Sequence, residues 1–254
     1  MITKGDGIMN YAVILSGGIG VRFNGDKPKQ FVKLNDIPLL VYSMRTAQEN
    51  KNVDSICVVA AKEYHAMING WKEQYNITKL EYMAESGKER YQSVYNGIMK
   101  IPADKDDTVI IMTAVCPFVS QLTMNKLYEK IKVMDACITV VKATDAITFS
   151  NDGQYVNRTL QKKKIFIQQG PQIYNYKILK QAHEVYLADE NRVEVNEDSE
   201  LVLNMGVECG MVLGDRYCMK VTYPEDLPIV KALYPLFIKQ EQKYALSLEE
   251  GEQI

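Results

Sequence analysis

The chain is poor in the residues from which many catalytic and structural devices are built. It has two histidines, His65 and His183, which largely excludes mechanisms that need several imidazoles. Its five cysteines (Cys57, Cys116, Cys137, Cys209 and Cys218) are odd in number, scattered and without a Cys-x-x-Cys pair. That pattern argues against a disulfide framework or a structural zinc site, and a reducing cytoplasm is the expected compartment. No apolar run approaches the ~20 residues that span a bilayer. The opening Met1-Ile2-Thr3-Lys4-Gly5-Asp6-Gly7 lacks the apolar stretch of a secretory signal. Charge of one sign is also missing, because 30 Lys and Arg stand against 32 Asp and Glu, a net charge of −2. A broad electrostatic grip on nucleic acid is therefore not expected, and neither is a membrane partner.

What remains is ordinary globular material, 46% hydrophobic and 24% charged, enough for a large core. Short apolar runs recur along the chain: Tyr11-Ala12-Val13-Ile14-Leu15, Ser55 to Ala60, Thr108 to Met112, Ala136 to Val141, and Gly210 to Leu213. Such runs, with little polar alternation, read as parallel strands covered on both faces. Helical spacing lies between them, as in Tyr174, Ile178, Leu179, Ala182, Val185 and Tyr186. The pattern predicts an α/β, Rossmann-like, mainly parallel sheet flanked by helices, with ligands near the carboxyl ends of the strands. Residues 1–254 are expected to form one domain. A protruding β-hairpin arm is expected at about 143–170, around Ser150-Asn151-Asp152-Gly153, and a flexible polar tail at about 240–254.

The strongest chemical signal follows the first run: Ser16-Gly17-Gly18-Ile19-Gly20-Val21-Arg22, then Pro28-Lys29-Gln30. Glycines just past a buried strand let backbone N–H groups approach an anion, and Arg22 and Lys29 add fixed positive charge. A dinucleotide fingerprint fails because Phe23 occupies the third glycine position, which leaves a dinucleotide-dependent oxidoreductase remote. A Walker loop fails because Asp26-Lys27 follows Gly25.

At this point the sequence resembles the sugar-phosphate cytidylyltransferases that act on methylerythritol phosphate or ribitol phosphate. The likeness rests on Gly17-Gly18-x-Gly20-x-Arg22 with Pro28-Lys29-Gln30, on Gly87-Lys88-Glu89-Arg90-Tyr91-Gln92-Ser93-Val94, on Pro171-Gln172, and on Met219-Lys220-Val221-Thr222. It runs from about Tyr11 to Leu233. The resemblance implies a nucleotidyltransferase domain that transfers CMP from CTP to a sugar or polyol phosphate and releases pyrophosphate. It assigns Arg22, Lys29 and Lys220 to catalysis around the phosphates, with Lys220 across the α-phosphate. Ser16, Gly17, Gly18 and Gly20 go to the nucleotide phosphates, and Gly87 and Ser93 to the cytosine. It also implies a homodimer in which the arm brings a basic residue to the partner's sugar-phosphate site, Lys162 by count or Arg158 if the register differs.

The likeness breaks in one region. Where the family has His-Asp-Ala-x-Arg-Pro, with the aspartate helping to bind Mg²⁺, this chain has Met112-Thr113-Ala114-Val115-Cys116-Pro117. Thr113 is a poor ligand for a hard cation, and Cys116 carries no positive charge. The family's asparagine before Lys220 is Cys218. Asp215, Glu197 and Asp198 are the carboxylates considered as substitutes. Ribitol 5-phosphate is the favoured acceptor, on Leu15-x-Gly17-Gly18-Ile19-Gly20 and Ala114-Val115-x-Pro117-Phe118. The alternative is a catalytically impaired homologue that binds nucleotide or a partner.

Overall fold

The structure, a computed structural model, describes residues 7–18 and 28–250. Its centre is a seven-stranded sheet made of β1 (Asn10–Leu15), β4 (Ser55–Ala60), β5 (Leu80–Glu85), β6 (Thr108–Thr113), β7 (Ala136–Lys142), β10 (Phe166–Asn175) and β11 (Gly210–Leu213). The strand order is β11-β7-β10-β6-β1-β4-β5. Only β10 runs antiparallel to its neighbours, β6 and β7; the other adjacent pairs are parallel. The mainly parallel α/β sheet expected from the apolar runs is present.

Burial on both faces explains those runs. Ala12, Ile14, Ile56, Val58, Ile110 and Met112 point to one side, where they pack with Leu40, Met44, Ile68, Met124 and Leu127. These come from α1 (Leu39–Glu49), α2 (His65–Gln74) and α4 (Gln121–Ile131). The alternate residues Tyr11, Val13, Cys57, Val59, Val109 and Ile111 face Val94, Ile98, Leu179, Ala182 and Leu201. Those belong to α3 (Arg90–Lys100), α5 (Tyr176–Ala188) and α6 (Asp198–Asn204). All six residues of β4 are buried, as a central strand between two helical layers requires.

The sequence reading and the structure differ in four places. β5 carried no apolar run, because it is an edge strand with only Leu80 and Ala84 buried. Tyr174, read as the start of a helix, is a fully buried strand residue, and the helix begins at Tyr176, capped by the Asn175 side chain on the Lys177 N–H. The arm is shorter than 143–170. Its hairpin is β8 (Thr148–Phe149) against β9 (Arg158–Thr159), and the chain is back in the main sheet at Phe166. A small ribbon of β2 (Lys33–Leu34) and β3 (Ile37–Pro38) precedes α1.

The fourth difference concerns the tail. Residues 240–249 complete α7 (Asp226–Glu249) instead of forming a flexible extension. The Glu241 carboxylate accepts the Gln121 N–H at 3.0 Å, at the amino end of α4, where an anion suits the helix dipole. Asn125 donates to the Tyr244 hydroxyl at 2.9 Å. Farther back, Phe237 stacks on Phe118 with ring centroids 4.8 Å apart, in a third apolar cluster with Val115, Val221 and Val230. Among the described residues no helix is long and apolar enough to cross a membrane.

Phe237→Ala removes an aromatic ring from that cluster and is expected to cost about 3–5 kcal/mol of stability. Urea denaturation of the variant against the parent chain checks this, and an unchanged midpoint would mean that α7 is not docked as described.

Candidate active site

The parallel strands β1, β4, β5 and β6 all point their carboxyl ends to one edge of the sheet, and the segments that follow β1, β5 and β6 border a cleft of about 220 Å³ there. Four separate segments line it: Leu15 to Gly18 after β1 with Lys29 and Gln30, Gly87 to Arg90 with Ser93, Thr113 to Val115 after β6, and Lys220. Of the site residues expected from sequence, Ser16, Gly17, Gly18, Lys29, Gly87, Ser93 and Lys220 come together here. Gly20 and Arg22 lie outside the described residues. Lys162 and Arg158 are exposed on the arm and do not line this cleft.

Two glycines are required by close approach. A Cβ on Gly17 would stand 2.3 Å from the Ser86 Cβ, and one on Gly87 would stand 2.3 Å from the Gln92 Cβ. The loops after β1 and β5 therefore meet at a separation that no side chain permits. Among the described residues nothing lies within 4 Å of the position a Cβ on Gly18 would take. Behind the loop, the Ser16 N–H bonds to the Val59 carbonyl at 2.8 Å and the buried Gln30 amide donates to the Ser16 carbonyl at 2.7 Å. The Ser16 Oγ is buried and finds no hydrogen-bond partner among the described residues.

The far wall is the amino end of α3. Glu89 and Gln92 form a reciprocal capping box there. The Ser93 hydroxyl accepts the Gly87 N–H at 3.0 Å and donates to the Glu89 carbonyl at 3.2 Å. It thus fixes the shape of the Gly87 loop and keeps one lone pair. Lys29 stands on a single 3₁₀ turn, Lys29–Phe31, anchored by Phe31 against the Tyr64 and Trp71 rings. Lys220 sits beside Val221, whose N–H bonds to the Val115 carbonyl at 2.8 Å, so the two chain segments are tied at the cleft.

Among the described residues, three lysines (Lys29, Lys88 and Lys220) and Arg90 line the cleft against one carboxylate, that of Glu89, which is committed to its cap. That balance suits a polyanion. Lys88 was not assigned a role from sequence, although its place next to Gly87 was the available signal. Arg90 is neutralised: its guanidinium bridges Glu197 at 2.8 Å and Asp198 at 2.6 Å. Asp198 is fully buried and also meets His183 Nε2 at 3.1 Å. Burial by itself would raise the Asp198 carboxyl, but Arg90 and then His183 outweigh it and hold the group below the usual carboxylate range. Glu197 further accepts from the Gln172 amide at 2.6 Å.

These pairings correct an expectation. Glu197 and Asp198, considered as substitute metal ligands, are consumed by Arg90, His183 and Gln172. The third candidate, Asp215, accepts the Tyr217 and Cys218 N–H groups at 3.0 and 3.2 Å, and its other oxygen takes the Gln240 amide at 3.3 Å. None of the three lines the cleft. Among the described residues no cluster of three or more His, Cys, Asp or Glu is arranged to hold a metal ion. Thr113 stands at the end of β6 with a neutral hydroxyl, so the described residues do not fit a divalent cation held by the protein.

A parallel sheet whose strand ends form a glycine-walled, lysine-lined cleft defines a nucleotidyltransferase of the α/β kind. Comparison with known sequences makes this specific. Residues 10–234 match the family described as IspD, 2-C-methyl-D-erythritol 4-phosphate cytidylyltransferase, and the chain belongs to that family. It is 33% identical over 230 residues to the 2-C-methyl-D-erythritol 4-phosphate cytidylyltransferase of Clostridioides difficile, covering 89% of this chain and 93% of that one. It is 32% identical over 225 residues to the protein of the same name from Fusobacterium nucleatum, covering 86% and 94%. The crystal structure of the Francisella tularensis protein of that name superposes with a TM-score of 0.74 at 26% identity, over 87% of this chain and 97% of the other. The fold is also that of 4-diphosphocytidyl-2C-methyl-D-erythritol synthase from Anaerococcus prevotii, with a TM-score of 0.79 at 24% identity, over 91% and 97%.

Asp198→Asn leaves Arg90 half-paired in the protein and is expected to cost about 3–5 kcal/mol. Because the folded carboxyl lies below its unfolded value of about 3.9, its contribution is present above that pH and is lost as the pH falls through the folded value. Urea denaturation at neutral and acid pH should show the two proteins converging only at the acid end.

Proposed function

We propose that the protein transfers CMP from CTP to a polyol phosphate with release of pyrophosphate. The observation that carries this reading is the convergence on one cleft of Gly17, Gly18, Lys29, Gly87, Ser93 and Lys220, which come from distant parts of the chain. The acceptor's phosphate oxygen attacks the α-phosphorus of CTP, a new P–O bond forms, and the bond to the bridging oxygen breaks so that pyrophosphate leaves. The demands of such a step are position and charge neutralisation. In this reading Lys29 and the Gly17 and Gly18 amides hold the triphosphate, together with Gly20 and Arg22. Lys220 meets the α-phosphate. Gly87 and the remaining lone pair of Ser93 recognise the polar edge of cytosine, and a purine is excluded by size. Mg²⁺, expected from the resemblance, is assigned to no residue of this chain, and no step is routed through it.

The loop sequences after β1 and β6 favour ribitol 5-phosphate as acceptor, whereas the names of the relatives favour 2-C-methyl-D-erythritol 4-phosphate. We assign Lys162 or Arg158 to the acceptor phosphate of a partner subunit, in a homodimer joined by the β8–β9 arm; that both are exposed and line no part of their own chain's cleft supports this. The alternative, a catalytically impaired nucleotide-binding homologue, is favoured by one observation: Thr113 and Cys116 supply no charge where the family has an aspartate and an arginine.

Pyrophosphate release is to be measured with CTP, Mg²⁺ and each acceptor in turn. Lys29→Ala and Lys220→Ala are each expected to lower kcat/KM on the order of 10²–10³-fold, the scale of losing one preorganised charge-stabilising donor. Turnover no greater than that of Lys29→Ala would sink the enzymatic reading. CTP binding without turnover, with turnover restored in Thr113→Asp combined with Cys116→Arg, would establish the impaired homologue.

Replacing residues 148–159 by a short turn should convert a dimer into a monomer in sedimentation velocity, and an unchanged profile would contradict the arm's role.

A further inference from the structure

The segment that brings Lys220 to the cleft lies between β11 and α7, in neither helix nor strand. Its side chains leave in different directions. Tyr217, Met219 and Val221 pack into the third apolar cluster with Val230 and Phe237 of α7. The residues between them go elsewhere, Cys218 into the first cluster and Lys220 to the cleft. The direction in which Lys220 leaves the chain is therefore set by how this strap is seated.

One side chain from the sheet ties the strap down at its turn. The Gln169 amide donates to the Asp215 carbonyl at 3.1 Å and to the Cys218 carbonyl at 3.0 Å. A side-chain amide has two such hydrogens, so its donor half is fully used. The N–H groups of the same turn are met by Asp215 itself, whose carboxylate accepts from Tyr217 and Cys218, while the Gln240 amide of α7 reaches its other oxygen at 3.3 Å.

Gln169 is the last residue of β10 in register with β7 before the pairing shifts and resumes at Gln172. Alternation along the strand sends Gln168 to Ser199 on α6 and Gln169 to the opposite face. A Cβ on Gly214 would stand 2.6 Å from the Gln169 Oε1, so the side chain lies close against the start of the strap. That oxygen is buried and finds no hydrogen-bond partner among the described residues. A side chain that only filled space here would carry no such desolvation cost. What Gln169 supplies in return is the pair of donated bonds.

We infer that Gln169 is a positioning residue for the transfer step, holding the turn at 215–218 so that Lys220, two residues beyond the second bonded carbonyl, stands at the α-phosphate. Gln169 does not itself line the cleft, so it acts through Lys220. The inference rests on the reading of Lys220 as the cation at that phosphate. Without the amide, two carbonyls of the turn lose their donor and the turn shifts, while Tyr217, Met219 and Val221 keep the segment docked on α7. The ammonium is then misplaced, not removed. Misplacing a group that meets charge developing in the transition state lowers kcat more than it raises KM.

Gln169→Met keeps the length of the side chain and deletes both donors. Gln169→Asn, whose amide stops one methylene short, is the second variant, and the same pattern is expected of it. Hydrogen exchange read by mass spectrometry should be about tenfold faster in peptides covering 214–222 of either variant and unchanged in those covering 82–95, as a local loosening requires. Unchanged exchange at 214–222 would overturn the hold of Gln169 on the strap, whatever the protein does with CTP. In pyrophosphate release, kcat is expected to fall about tenfold with KM for CTP within about twofold, the mark of a misplaced group. Adding Gln169→Met to Lys220→Ala should cost nothing further, because residues that act through one another are not additive. An equal loss with and without Lys220 would overturn the positioning role. Should the parent chain bind CTP without turnover, the same four proteins are compared by calorimetry, and the same non-additivity is expected in CTP affinity. Neither turnover nor CTP binding by the parent chain would overturn the role of Lys220, and with it this inference, even where exchange at 214–222 is faster in the variants.

Discussion

Burial of the sheet on both faces is the constraint from which the rest follows. Once Ala12, Ile14, Ile56 and Val58 face one helical layer and Tyr11, Val13, Cys57 and Val59 the other, the backbone has no wet side. Polar chemistry can enter only where strands end. Because β1, β4, β5 and β6 run parallel, those ends fall on a single edge, and the loops leaving them must share it. The contact between Gly17 and Ser86 is the tightest consequence of that crowding. It brings two loops close enough for one small anionic ligand to touch both.

Legibility in the sequence followed burial. β1, β4, β6 and β7 were readable because an inner strand leaves a run of apolar residues, and β11, although an edge strand, because its exposed positions Met211 and Leu213 are apolar too. β5 was not, since half of an edge strand faces water and its pattern dissolves into Glu81, Tyr82 and Glu85. β10 hid for a different reason. Gln168, Gln169 and Gln172 look like loop residues until their partners are known, and those partners (Ser199, Asp215, Cys218 and Glu197) lie 25 to 49 positions away. The end of α7 looked like a solvated tail because Glu241 and Tyr244 meet residues about 120 positions earlier. The site shows the same division. Gly17, Gly18, Lys29, Gly87, Ser93 and Lys220 carry local signatures in a fixed order, whereas the pairing of Arg90 with Asp198 spans 108 positions and has none.

The charges lining the cleft are of two kinds. Arg90 is balanced by two carboxylates and acts as a strut between α3 and α6, so its charge contributes little field to a ligand. The lysines are charges of another sort, each a compact ammonium on a flexible stem. On the β6 side Thr113 is neutral and Cys116 is buried. The positive field is therefore concentrated near the loop after β1 and near Lys220, and the wall where a carboxylate and a guanidinium stand in the family is electrostatically quiet.

The docking of α7 bears on the order in which a growing chain can complete itself. Glu241 is synthesised 120 residues after Gln121, whose N–H it receives. Phe237 and Val230 likewise arrive long after Val115 and Phe118, the apolar surface they cover. All seven strands have left the ribosome before this last helix does. Until that helix is in place, the flank formed by Val115, Phe118 and Val221, beside the segment that bears Lys220, lacks the cover it has in the folded molecule.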